Sequence, residues 1–251
     1  MMPTCLLAVD TFSIMCRSFF HFGRKLNQAG YDCIFLQGPH LLPVQSTDDR
    51  HNARAWFLLN AEDPSDASQS QTGIPMTYLG LEDSLQNVQQ ELARIAVDED
   101  GPVATSSDDP TDDGYLTAIF GFSQGAVFCH ILSALAQRDP ERFGTIHAAL
   151  MASGFAAQHV PDPTTITVSQ AFDTGRLPDR QSLRLPSLHL IGTKDTSVDP
   201  ALSLDLTQLF VEANIMWHDK GHVIPQKSAE CASIVAFLEA CRSKQQEQRS
   251  S

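Results

Sequence analysis

Ser123 lies at the centre of Gly121-Phe122-Ser123-Gln124-Gly125, a Gly-x-Ser-x-Gly run. An apolar stretch, 116–120, leads into it, and a helix-like stretch follows from Gln124. A strand that turns sharply into a helix holds the central serine in a strained backbone conformation, which only small flanking residues tolerate. The hydroxyl then projects above the sheet edge. The N–H of the next residue, Gln124, points into the same space at the positive end of a helix. A nucleophile and one oxyanion donor would thus be delivered together, the requirement for acyl transfer. The five letters alone match by chance in a chain of this length with odds of roughly one in ten. The strand before and the helix after carry more weight than the letters.

A serine hydroxyl is a poor nucleophile until a base takes its proton. The chain order that goes with a nucleophile on such a turn is Ser, then Asp or Glu, then His. Two acids compete for the middle place. Asp195 follows the apolar run 188–191 in Gly192-Thr193-Lys194-Asp195. Asp199 precedes Pro200, the pattern of an N-cap with proline at the first helical position. Asp199 is therefore assigned a structural role and Asp195 the catalytic one. His222, in Lys220-Gly221-His222-Val223-Ile224-Pro225, falls between the last predicted strand and the last predicted helix, where the base belongs. His218, at the end of that strand, is the alternative. His130 reads as a core or supporting residue of the helix after the turn. His40, after Pro39, is either a pocket residue or a turn residue. Trp56 and Phe57 either wall the acyl site or anchor a long loop, and Arg54 either meets a substrate carboxylate or pairs with a nearby acid.

These residues need a sheet to hold them. Strands are predicted at 5–9, 31–36, 116–120, 146–152, 188–192 and 214–217. Helices are predicted at 14–29, 81–95, 124–137, 200–210 and 227–241, with Leu81, Leu85, Val88, Leu92 and Ile95 repeating on one face. Strands and helices alternate, which implies a parallel sheet covered on both faces. Segments 41–80 and 160–186 are rich in turn formers and read as cover over a site. Residues 98–114 read as an acidic insertion. Residues 1–242 are expected to form one domain, and 243–251 a polar, frayed tail.

Composition narrows the class. The chain has 251 residues, 42% of them hydrophobic, and a formal net charge of −13. A surface that acidic repels phosphate backbones and anionic membranes, so nucleic-acid and membrane partners are not expected. None of the six cysteines forms a Cys-x-x-Cys pair or a Cys/His metal spacing, and no metal or other cofactor is expected. Cys5, Cys33, Cys129 and Cys231 read as small core residues. The start, Met1-Met2-Pro3-Thr4, lacks a basic region followed by an apolar core and a cleavage site, so a cytoplasmic, reduced setting is the expectation.

The ordered set Gly121-Phe122-Ser123-Gln124-Gly125-Ala126, Gly192-x-x-Asp195 and Gly221-His222-Val223-Ile224-Pro225 resembles the FSH family of serine hydrolases. Arg54-Ala55-Trp56-Phe57 and the helix near 80–92 are similar to family segments too. The resemblance implies an α/β-hydrolase fold: a mostly parallel central sheet, helices on both faces and a short loop-rich cover. It implies Ser123 as nucleophile, Asp195 as orienter and His222 as general base. Cleavage of an acyl ester or thioester is the implied reaction. Because the family includes fungal polyketide-releasing thioesterases, a polyketide synthase carrier domain is an implied partner. One departure is plain. The family's first strand usually ends in His-Gly, whereas this chain reads Ala8-Val9-Asp10-Thr11-Phe12. The second oxyanion donor is expected from the N–H of Phe12 or Thr11, and Asp10 would oppose negative charge there. That substitution also keeps open a degenerate hydrolase that binds an acyl group or docks to a synthase. An acyltransferase using the same triad is a third reading.

Overall fold

A computed structural model of the chain describes residues 4–8, 15–42, 53–59, 78–99, 117–157 and 183–250. The strands β1 (Thr4–Ala8), β2 (Asp32–Leu36), β7 (Ala118–Phe122), β8 (Ala148–Ala152), β9 (Ser187–Gly192) and β10 (Ala213–His218) form one sheet. Its order is β10-β9-β8-β7-β1-β2, and every neighbouring pair is parallel. Among the described residues two two-stranded fragments lie outside it: β3 (His40–Leu41) pairs antiparallel with β4 (Arg54–Ala55), and β5 (Leu58–Leu59) with β6 (Tyr78–Leu79).

Parallel strands need crossovers, and helices supply them. α1 (Met15–Gln28) joins β1 to β2, and α3 (Gln124–Arg138) with the short α4 (Pro140–Phe143) joins β7 to β8. α5 (Pro200–Thr207) joins β9 to β10, α2 (Leu81–Glu99) precedes β7, and α6 (Ser228–Ser250) closes the chain. The central strands β7, β8 and β9 are buried along their whole length, which explains the unbroken apolar sequences of β7 and β8. In β9 the two buried polar side chains, Ser187 and His189, meet each other, Oγ to Nε2 at 3.0 Å. Alternate side chains serve two cores. Ile119, Ala149 and Met151 pack with α2, α3 and the Trp56–Phe57 segment. Phe120, Phe122, Leu150 and Leu190 pack with Phe22 and Leu26 of α1 and with Cys231, Ile234 and Leu238 of α6. Leu85 and Val88 of the predicted one-sided helix are buried as expected.

Two expectations change. β7 runs two residues further than the predicted strand, so Gly121 and Phe122 belong to the strand itself and the turn falls on Ser123. The polar tail expected from 243 is instead the last two turns of α6. Lys244 Nζ lies 2.6 Å from Glu212 Oε2, and Gln245 Nε2 lies 2.8 Å from His147 Nε2. Glu, Gln, Lys and Arg are good helix formers, so a polar composition does not by itself end a helix. Cys129, Cys231 and Cys241 are buried free thiols, while Cys33 is half-buried; the core reading therefore extends to Cys241. The expectation for Cys5 and for the segments 43–52, 60–77, 100–116 and 158–182 lies outside the described residues or side chains.

Candidate active site

The site begins with a strained turn. Ser123 has φ 54° and ψ −119°, a left-handed value that L-residues rarely adopt. It follows the last residue of β7 and precedes the first of α3. The turn holds because its neighbours are small. A Cβ on Gly121 would stand 2.2 Å from the carbonyl oxygen of Gly125, so α3 approaches the strand too closely for any side chain there. Ser123 N–H donates to Ala152 C=O at 2.9 Å, tying the turn to β8. The N–H of Gln124 belongs to the first turn of α3, where backbone donors have no intrahelical acceptor. Those donors and the helix dipole favour negative charge at this end.

The other two components stand at the same end of the sheet, after β9 and β10. Asp195 follows β9 and His222 follows β10. Their loops are drawn together by backbone bonds from Thr193 N–H to His218 C=O (2.9 Å) and from Lys194 N–H to Lys220 C=O (3.1 Å). Gly192 makes the approach possible: a Cβ there would stand 2.6 Å from Gly221 O. His222 Nδ1 then lies 2.8 Å from Asp195 Oδ2. The other carboxylate oxygen, Oδ1, accepts from Ser197 N–H (2.9 Å) and Val198 N–H (3.0 Å). The imidazole of His222 packs on the ring of Phe122, with centroids 4.6 Å apart. Phe122 is the residue before Ser123, so the histidine sits over the strand end that delivers the serine.

The electrostatics suit a carboxylate that orients a base. The Asp195 side chain is 2% exposed and that of His222 18%, so the carboxylate is shielded and the imidazole keeps an open edge. Burial by itself would raise the Asp195 pKa. The Val198 N–H, His222, Ser153 and the Ser197 N–H outweigh it and hold the carboxyl below the ordinary aspartate value. The buried Ser153 hydroxyl adds to this from beside the carboxylate, and among the described residues it has no hydrogen-bond partner. Ser153 itself is buried with φ 48°, a second strained serine, at the end of β8.

The remaining candidates are placed as follows. Asp199 caps α5, its Oδ1 accepting from Ala201 N–H at 2.9 Å with Pro200 in the first turn. His218 is buried, neither ring nitrogen has a partner among the described residues, and burial chiefly lowers its pKa. His130 is fully buried; its Nδ1 accepts from Ala157 N–H at 3.0 Å, and burial lowers its pKa to about 4. Trp56 and Phe57 are covered by the core, with Trp56 stacked on Phe128 (4.4 Å) and Phe57 edge-on to Tyr78 (4.8 Å). Those contacts anchor the segment. Arg54 Nη1 donates to Pro39 C=O at 3.0 Å. His40 Nε2 lies 2.7 Å from Gly80 O, and its ring fills the space beside Gly80 at the start of α2. Thr11, Phe12 and Asp10 lie outside the described residues. Among the described residues no group of three or more His, Cys, Asp or Glu side chains is placed to hold a metal ion, and no helix is long and apolar enough to cross a membrane.

One role was not foreseen from the sequence. The side chain of Gln124 clamps the Trp56–Phe57 backbone: Oε1 accepts from Trp56 N–H (2.9 Å) and Nε2 donates to Phe57 C=O (3.0 Å). Ser84 Oγ donates to Trp56 C=O from α2. No local pattern signals a contact between residues 67 and 68 positions apart.

A parallel sheet with helices on both faces, a strained serine between β7 and α3 and an Asp–His pair after the following strands define an α/β-hydrolase fold. The chain belongs to the serine hydrolase (FSH1) family, whose model matches residues 11–234. It is 30% identical over 216 residues to "Esterase C25G4.2" of Caenorhabditis elegans, covering 86% of this chain and 82% of that protein. It is 28% identical over 227 residues to the human "Esterase OVCA2", covering 86% of each. Among solved structures, esterase PE8 is similar at 19% identity with a TM-score of 0.54, covering 95% of this chain and 92% of that one. Zea mays acyl-protein thioesterase 2 is similar at 16% identity with a TM-score of 0.54, covering 96% and 94%. These two likenesses speak for the fold.

Proposed function

We propose that this serine hydrolase cleaves an acyl ester or thioester with Ser123 as nucleophile, His222 as general base and Asp195 as the residue that orients it. The observation that carries the reading is the His222 Nδ1–Asp195 Oδ2 contact of 2.8 Å on a carboxylate whose other oxygen is fixed by two backbone N–H groups. With Nδ1 carrying a proton toward Asp195, Nε2 is left to accept one. Ser123 Oγ attacks the acyl carbonyl carbon as its proton passes to His222 Nε2. The carbonyl oxygen gains negative charge and meets the N–H of Gln124 at the α3 terminus; Thr11 and Phe12 are sequence-based candidates for a second donor. The tetrahedral centre collapses, the C–O or C–S bond breaks, and His222 returns the proton to the leaving alcohol or thiol. Water then gives a proton to His222 and attacks the acyl-enzyme, releasing the acid and restoring the Ser123 hydroxyl.

The names of the relatives support an ester, and the family's polyketide-releasing members support a narrower reading, an acyl thioester presented by a polyketide synthase carrier domain. The test is turnover of matched short-chain esters, free thioesters and carrier-bound thioesters, with intact-protein mass spectrometry of trapped acyl-enzyme. An acyl adduct on Ser123 and turnover of one series are expected. Folded protein that turns over none and forms no adduct would contradict the reading.

A further inference from the structure

β10 ends the main sheet, so among the described residues no strand lies along its outer edge. Ser187 N–H donates to Glu212 C=O and Thr193 N–H to His218 C=O, so the even-numbered residues turn their backbone groups toward β9. Backbone direction alternates along a strand. Ala213, Ile215 and Trp217 therefore present their N–H and C=O groups to the open edge. Side chains alternate as well. Met216 packs toward α6 and His218 is buried, whereas Ile215 is 43% and Trp217 47% exposed on the opposite face. Val211, in the turn before β10, is 53% exposed. Natural edge strands are usually blunted by lysine, proline or a bulge. The sequence of β10, Ala-Asn-Ile-Met-Trp-His, contains no formally charged residue and no proline.

We propose that β10 pairs antiparallel with β10 of a second copy of this chain across a two-fold axis at Met216, making one continuous sheet through the dimer. Edge geometry selects the register. Outward-facing odd residues must meet odd residues, which excludes axes lying between two residues. Centring on Met216 sets Ile215 opposite Trp217 of the second copy, a β-branched–aromatic pair of the kind that stabilises sheets. It also brings Glu212, in the turn before β10, toward Lys220 of the second copy, in the bend after it, and both contacts occur twice by symmetry. The bond from Lys244 already engages Glu212 through Oε2, and a second cation complements the same carboxylate. Neighbouring registers lose this match: an axis at Ile215 places Glu212 against His218, whose ring is buried, and an axis at Trp217 places Ile215 against Asp219.

Sedimentation velocity of the full chain from about 1 to 100 µM tests the pairing. A concentration-dependent species of twice the chain mass is expected. Ile215→Lys should give monomer at the same concentrations with unchanged far-UV circular dichroism. Glu212→Lys and Lys220→Glu should each weaken the dimer roughly tenfold or more, and the double exchange should restore it. The charge pair decides the question if Ile215→Lys fails to fold. Wild-type monomer at 100 µM overturns the proposal and leaves this edge to a different partner. A dimer as tight in Ile215→Lys as in the wild type, or no recovery in the double exchange, overturns it as well.

Discussion

Asp195 holds His222 with one carboxylate oxygen while the other accepts two backbone N–H groups, from Ser197 and Val198. That division fixes what an amide would do in its place. In Asp195→Asn the amide oxygen is retained by the two N–H donors, so the NH₂ group must face His222 Nδ1. Nδ1 must then accept, the ring proton moves to Nε2, and the base is in the wrong tautomer to take a proton from Ser123. A kcat loss of about 10⁴ is expected, the size typical of this lesion in serine triads. Asp199→Asn keeps a capping oxygen for Ala201 N–H and should stay within a fewfold of wild type. Steady-state kinetics of the two variants side by side checks the assignment, and the reverse ranking contradicts it.

Gln124 is expected to matter through its side chain as well as its N–H. Gln124→Leu keeps the backbone donor but strips Trp56 N–H and Phe57 C=O of their partners in a buried setting. Each orphaned group costs about 1–3 kcal/mol. For a chain of this size that lowers Tm by roughly 10 °C. Below the transition the variant should retain more activity than Ser123→Ala. Calorimetry with an unchanged Tm would show that the clamp contributes nothing.

Gly121→Ala tests the close approach at the turn. The added methyl would lie 2.2 Å from Gly125 O, part of a helix rather than a yielding side-chain tip. α3 or β7 must move, displacing Ser123. A loss of at least 10² in kcat, or failure to accumulate as soluble protein, is expected; wild-type activity with an unchanged Tm contradicts the geometry.

Acid should destabilise the fold in two ranges. Burial lowers the pKa of His130 from 6.5 to about 4, and burial with the nearby His130 lowers that of His189 to about 3. The unfolded chain therefore binds protons at these positions before the native chain does. Stability is full above about pH 6.5 and falls as pH drops toward 4, by about 1.4 kcal/mol per pH unit for each histidine. Asp195 adds a lower range. Its folded pKa lies below the unfolded value, so its contribution is present above about pH 4 and lost as pH falls through the folded pKa. Urea unfolding at pH 7.5, 5.5 and 4.5 measures the first range, and equal stabilities at all three contradict it.

The sequence carried the parts of the site that rest on local rules. A serine between glycines at a strand–helix junction, Asp-Pro at a helix start and a histidine in the loop after the last strand are short-range patterns. Asp199 accordingly caps α5 and Asp195 meets His222. Contacts made across the fold left no such mark. The ring of Phe122 beneath His222, the strained Ser153 behind Asp195 and the Gln124 clamp each depend on how distant segments pack. Trp56 illustrates the same limit from the other side. A tryptophan in a turn-rich segment gives no sign of whether it faces a site or a core, and stacking on Phe128 places it in the core. The end of α6 was hidden by composition, because its polar residues suit a helix and a frayed tail alike.

Activity-based labelling tests the central claim most directly. Wild-type protein treated with a fluorophosphonate should gain one adduct, and peptide mapping should place it on Ser123. Ser123→Ala should take up none, and His222→Ala should label slower by about 10³-fold or more. An adduct on any other residue, or wild-type labelling no faster than His222→Ala, would contradict a serine at position 123 activated by the Asp195–His222 pair.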